Sequence, residues 1–161
     1  MDTHGFLRRV LPSEGAVVSI VINPGDRPRQ RFYNSIDELA DASVKLSQHG
    51  HNVYYAVASF KDMSSRKQVN VHNLKAFFID IDCGEGKPFA SPVDGAKALA
   101  KFLTDSKLPK PIVVLSGNGL HAYWTLTDAI PKSDWQPIAD ALKATAERFK
   151  DRKSTRLNSS H

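Results

Sequence analysis

The chain has 161 residues, 41% hydrophobic and 24% charged, which is room for one ordinary domain with a real core and hardly for two. No apolar run approaches the ~20 residues of a membrane span, and Cys83, the single cysteine, excludes an intrachain disulfide and any multi-thiolate zinc site made by this chain alone. The net charge of +5 suits a polyanionic partner, yet the last eleven residues, DRKSTRLNSSH, hold three basic groups and one acidic, leaving 19 basic and 16 acidic over residues 1 to 150.

The N-terminus, MDTHGFLRRVLP, has no apolar stretch and no small-residue cleavage site, so a signal peptide is not expected and the cytoplasm is the natural setting. Residues 16 to 22, AVVSIVI, are a β-branched strand ended by the turn residues NPGDRP. Ser35 with Glu38 three positions on is a capping box for a helix to about Gln48, closed by His49 and Gly50. NVYYAVASF, residues 52 to 60, reads as a second strand, and KDMSSRKQVNVHN as a loop leading into the strand LKAFFIDID. The basic clusters RRV, GDRPRQR and SSRK punctuate this half of the chain.

Residues 93 to 105 form an amphipathic helix with Ala96, Leu99, Ala100 and Leu103 on one side. PIVVLS is a strand, GNG a tight turn, and LHAYWTL the returning strand. Ser133 and Gln136 make a second capping box, opening a helix with Trp135, Ile138, Ala139, Leu142, Ala146 and Phe149 on one stripe. Strands thus alternate with helices, and the expected class is α+β or an α/β sandwich, a sheet covered by helices.

Alternation along a strand puts Asp80 and Asp82 on one face and Phe77, Ile79 and Ile81 on the other. Two carboxylates ~6 to 7 Å apart along a strand repel and are costly to dehydrate. Their face must therefore be open or hold something positive, and a hard divalent cation with oxygen ligands fits. The pair alone fits equally well a strand that simply ends before a CGEG turn. In VVLSGNGLHAYWTL, the SGNG turn offers backbone N–H groups for an anion, Ser116 adds a hydroxyl, and His121 alternates out of the apolar set to donate to a phosphate oxygen. No P-loop and no G-x-S-x-G elbow occurs.

FFIDIDCG followed by VVLSGNGLHAYWTL resembles the first two catalytic motifs of the archaeo-eukaryotic primase superfamily, in the primase-polymerase domains of plasmid and phage replication proteins. The likeness spans roughly residues 12 to 150. It implies an α+β catalytic core with an RNA-recognition-motif-like sheet, Mg²⁺ or Mn²⁺ on Asp80 and Asp82, and nucleotide phosphates on Ser116, His121 and the backbone of Gly117 and Gly119. Lys75, at the head of the motif strand, would reach a phosphate or the template. Implied partners are nucleoside triphosphates, a DNA template and primer, and a helicase domain in the intact protein.

A third motif, an acidic residue on a later strand, is absent after AERFK, and Asp151 is not given its role. The expected organisation is a partial catalytic domain over residues 1 to 150, with a non-native, adapter-like tail over 151 to 161. A metal-dependent nuclease or nicking enzyme is the enzymatic alternative. A non-catalytic single-strand binding module, stacking bases on Tyr54, Tyr55 and Tyr123, is the other.

Overall fold

A computed structural model describes residues 1–117 and 119–159, with side chains through 148. Asn118 of the expected turn, Ser160 and His161 of the expected tail, and the side chain of Phe149 lie outside the described residues. The fold is a mixed α+β arrangement with antiparallel strand pairs and packed helices, in two compact units. The first unit contains Met1–Ala76 and Thr125–Trp135, the second Phe77–Trp124 and the residues from Gln136 onward. Among the described residues no helix is long and apolar enough to cross a membrane.

The first unit opens with a helix that its sequence hides, α1 (Thr3–Val10). Asp2 caps it by accepting from Gly5 N–H at 2.8 Å, which holds the Asp2 carboxyl below its ordinary range, while Arg8 and Arg9 sit in the last turn, where positive charge is favoured. Strand β1 (Val17–Val21) is buried throughout and lies between β2 (Arg29–Tyr33) and β3 (Val53–Tyr55) in a three-stranded sheet, antiparallel to both. β2 was not expected, because a strand that reads RQRFY, exposed at its first three residues, lacks the apolar signal. Helix α2 (Ile36–Gln48) starts as expected, with Ser35 Oγ accepting from Glu38 N–H at 3.2 Å, and Gly50 follows at φ +84°.

The expected strand over residues 52 to 60 is two short ones. β3 joins the three-stranded sheet, and β4 (Ser59–Phe60) pairs with β5 (Val71–Asp82) in a second sheet of order β4-β5-β7-β6. β5 begins earlier than expected, with Val71, His72 and Asn73 in strand rather than loop, after a 3₁₀ turn over Gln68–Asn70. Ala16, Val18, Ala58, Phe60 and Leu74 form a core cluster of the first unit, with Trp135 packed on it. The Trp135 indole N–H donates to the carbonyl of Ala76 at 2.8 Å.

In the second unit the order is the second half of β5, α3 (Pro92–Ser106), β6 (Ile112–Leu115), the first half of β7 (Gly119–Pro131) and, from Gln136 onward, α4 (Lys132–Ser159). Ser91 caps α3 by accepting from Asp94 N–H at 3.2 Å, with Pro92 at the first helical position. The buried face of α3 is Gly95, Ala98, Leu99 and Phe102, rotated from the expected stripe, and Ala96 and Ala100 are exposed. Gly95 explains the rotation: a Cβ there would stand 2.8 Å from Cys83 Sγ and 3.3 Å from Ile81 Cγ2, so the helix approaches the strand where it has no side chain.

α4 begins at Lys132, directly out of β7, so Ser133 lies inside the helix instead of capping it, and Gln136 reaches forward to Asp140 Oδ1 at 2.8 Å. On its stripe Ala146 is buried and Leu142 packs on the core, whereas Ile138 is exposed. Residues 151 to 159 continue this helix.

Candidate functional site

The candidate site lies in the second unit, on the face of β5 turned away from its core. From Phe77 to Asp82 burial alternates without a fault: Phe77, Ile79 and Ile81 are buried, and Phe78, Asp80 and Asp82 are exposed. Ile79 and Ile81 pack with Leu99, Phe102, Leu120 and Ala122. This apolar side fixes the strand's orientation, because a slip of one residue would bury both carboxylates. The aspartates are thus held on the open face by the residues between them.

β6 and β7 pair antiparallel with Leu115 opposite Leu120 and Val114 opposite His121. Ser116 N–H donates to Gly119 carbonyl at 3.0 Å, closing a two-residue connection in which Gly117 takes φ +83°, the left-handed region that such hairpin turns require. Gly119 is needed for a different reason. A Cβ on it would collide with the carbonyl oxygen of Ile81, and would stand 3.1 Å from that carbonyl carbon and 3.2 Å from Asp82 Cα. The backbone after the Ser116 turn therefore lies directly against the backbone of the D-x-D strand.

That close approach brings His121 beside Asp80, with Nε2 3.3 Å from Oδ1 and the two side chains 32% and 52% exposed. At this exposure the pair contributes little stability, about 0–1 kcal/mol; it serves to orient the imidazole. The Tyr123 hydroxyl lies 3.4 Å from His121 Nδ1, so the ring is held at both nitrogens. Tyr123, named above for base stacking, is buried, and Phe78 stacks on it at 5.7 Å between centroids and 30° between planes.

Asp80, Asp82, His121 and the Gly119 backbone are thus brought to one end of the second unit, with Ser116 and Gly117 exposed in the adjoining turn. Lys75 lies in the first unit, where its Nζ donates to the carbonyl of Arg8 at 3.0 Å. Phe78 is the residue the sequence reading passed over. Alternation alone assigns it to the face of Asp80 and Asp82, and it remains 44% exposed.

Among the described residues no group of three or more His, Cys, Asp or Glu is arranged to hold a metal ion. A zinc-type cage needs three or four protein ligands. Mg²⁺ is less demanding: it binds through one or two carboxylates, keeps waters, and takes its remaining oxygens from substrate phosphate. Two exposed carboxylates at i and i+2 on one strand fit that donor set. No family model matches this chain, and no curated protein or solved structure matches it.

Proposed function

We propose that the chain is the catalytic core of a template-directed nucleotidyltransferase of the DNA primase-polymerase type. The observation that carries this reading is the convergence of Asp80, Asp82 and His121 on one open strand face, with the Gly119 backbone set against the same strand. The strand-helix-hairpin-helix order of the second unit, with β5 beside β7 and β6 outside it, supports an RNA-recognition-motif-like sheet.

In this reaction a primer 3′-hydroxyl attacks the α-phosphorus of a nucleoside triphosphate, a P–O bond forms, and pyrophosphate leaves. Asp80 and Asp82 would hold Mg²⁺ or Mn²⁺, which supplies charge neutralisation of the phosphates and a more acidic attacking hydroxyl. His121 Nε2, which faces Asp80 Oδ1 at 3.3 Å, would turn its proton to a phosphate oxygen once Asp80 is engaged by the metal, its ring set by Tyr123 on Nδ1. Ser116 and the exposed turn backbone add donors to the phosphate chain. Catalysis is positioning and electrostatics, with no covalent protein intermediate.

The exposed Phe78 ring favours one second reading, a non-catalytic single-strand binding module in which that ring stacks on bases. Calorimetric titration with Mn²⁺, alone and then with a nucleoside triphosphate, separates the two. The catalytic reading expects a Mn²⁺ site and Mn²⁺-dependent triphosphate binding, both lost in Asp80→Ala with Asp82→Ala. Unchanged Mn²⁺ affinity in that variant would overturn it.

A further inference from the structure

We propose that the edge strand β2 of the first unit is a binding ledge for the sugar-phosphate backbone of single-stranded nucleic acid, with Arg27, Arg29 and Arg31 as its phosphate contacts. β2 is the outer strand of the β2-β1-β3 sheet, so one of its edges has no strand beside it in that sheet. Arg29 stands opposite Val21 and Arg31 opposite Ser19, which puts the two guanidinium stems on one face. Arg27 lies just before the strand, and Pro28 biases its backbone toward extended conformation. All three arginines are exposed.

Two features distinguish this row from ordinary solvated surface. Among the described residues none of the three arginines has a carboxylate within ion-pair distance, whereas Arg8 on the neighbouring helix takes Asp37 at 2.6 Å. The Arg31 guanidinium lies over the Tyr33 ring, 5.6 Å from its centroid, which holds it in a fixed place on the sheet. From the loop, Arg66 donates to Gln30 Oε1 at 2.6 Å, a guanidinium on the strand's other face. Uncompensated cations in a row, one of them held over a ring, suit a ligand that brings its own negative charges at regular intervals.

The spacing selects among polyanions. Alternate residues on a strand repeat every ~6.6 Å, in a nearly straight line. An extended single strand can lay successive phosphates along such a line, while either strand of a duplex winds away from it within a few nucleotides. Guanidinium groups serve this use because they present several N–H donors in a plane and stay charged at any working pH. This deepens the template-directed reading by giving the template a place, but it stands on the first unit alone and is measured without metal or nucleotide. Its failure and that of the carboxylate site are therefore distinguishable.

The test is fluorescence anisotropy of a labelled oligothymidylate of about twenty nucleotides, titrated with the whole chain in EDTA at several salt concentrations. Each phosphate contact contributes about 0.7 to the slope of log affinity against log salt for single strands. Arg27→Gln/Arg29→Gln/Arg31→Gln should therefore flatten the slope by about 2, while the lysine version of all three retains it and controls for misfolding. Lys97→Gln/Lys101→Gln/Lys110→Gln, which removes as much charge from exposed positions of the second unit, should leave the slope nearly unchanged. Equal flattening by both glutamine triples would reduce the ledge to diffuse charge and overturn the proposal. So would undetectable binding by the unaltered chain, equal affinity for a duplex of the same length, or glutamine variants that self-associate with oligothymidylate binding intact, the mark of arginines that only guard a sheet edge.

Discussion

Nε2 of His121 stands 3.3 Å from Oδ1 of Asp80, so the imidazole of β7 and the first carboxylate of β5 share one place on the open face. Neither group reached that place alone: the apolar residues between Asp80 and Asp82 turn one outward, and the missing side chain of Gly119 lets the other strand close in.

His121→Ala should weaken triphosphate binding tenfold or more while changing nucleoside binding little. A hydrogen bond to a charged group is worth about 1.5–3 kcal/mol, and the nucleoside lacks the group it reaches. Because the pair with Asp80 is half-exposed, the variant should lose no more than about 1 kcal/mol of stability. Calorimetry with both ligands and a urea melt check this; equal losses for the two ligands would assign His121 to the base or the packing.

Gly119→Ala should be among the most damaging single methyl additions in the second unit. The new Cβ meets backbone, which cannot swing aside, so the cost exceeds the about 1–3 kcal/mol of ordinary overpacking, or the hairpin shifts away from β5. The urea midpoint reports the first outcome, and loss of Mn²⁺-dependent triphosphate binding the second. A variant with normal stability and normal binding would show that the close approach is not needed.

Gly95→Ala makes a gentler contrast. Alanine gains about 1 kcal/mol of helix propensity over glycine, but its Cβ would press on Cys83 Sγ at 2.8 Å, and overpacking costs about 1–3 kcal/mol. A net loss is expected, and it should be relieved when Cys83→Ala removes the sulfur. Additive effects of the two changes in a double-mutant cycle would show no contact between these sites.

Burial pushes the Cys83 thiol above its ordinary value of 9.0, and the charges of Asp82, Asp94 and Asp80 push it the same way. The unfolded chain therefore loses this proton before the folded chain does. Stability from this group is fully present below pH 9.0 and declines as pH rises from there through the raised folded value. Urea melts between pH 8 and pH 10.5 should show a steeper alkaline decline for the unaltered chain than for Cys83→Ala, after the two are matched at pH 8. Parallel declines would mean that the thiol titrates alike in both states.

The strand geometry around Asp80 and Asp82 was more legible than the frame around it. Period-two alternation across FFIDID and the glycines of SGNG are strong local signals, and the structure turns both aspartates outward as that alternation requires. Ser35 likewise announced α2 through its cap. What escaped were elements whose stability is tertiary. α1 has only 8 residues, too few to form alone, and β2 is held by its ladder to β1 despite a polar sequence. Lys75, at the head of the motif strand, donates to the carbonyl of Arg8, 67 residues away in the chain, a contact that no local pattern encodes.

The two tryptophans divide between the two units. Trp124, in the second, donates its indole N–H to the carbonyl of Pro109 at 2.7 Å, and Trp135, in the first, donates to that of Ala76 at 2.8 Å. Each compact unit thus carries its own intrinsic fluorophore, anchored by one hydrogen bond. Replacing either indole with phenylalanine leaves a single tryptophan, so with excitation at wavelengths the four tyrosines do not absorb, denaturation of one half of the molecule can be recorded while the other is spectroscopically silent, and the two transitions can be compared for coincidence without any attached dye.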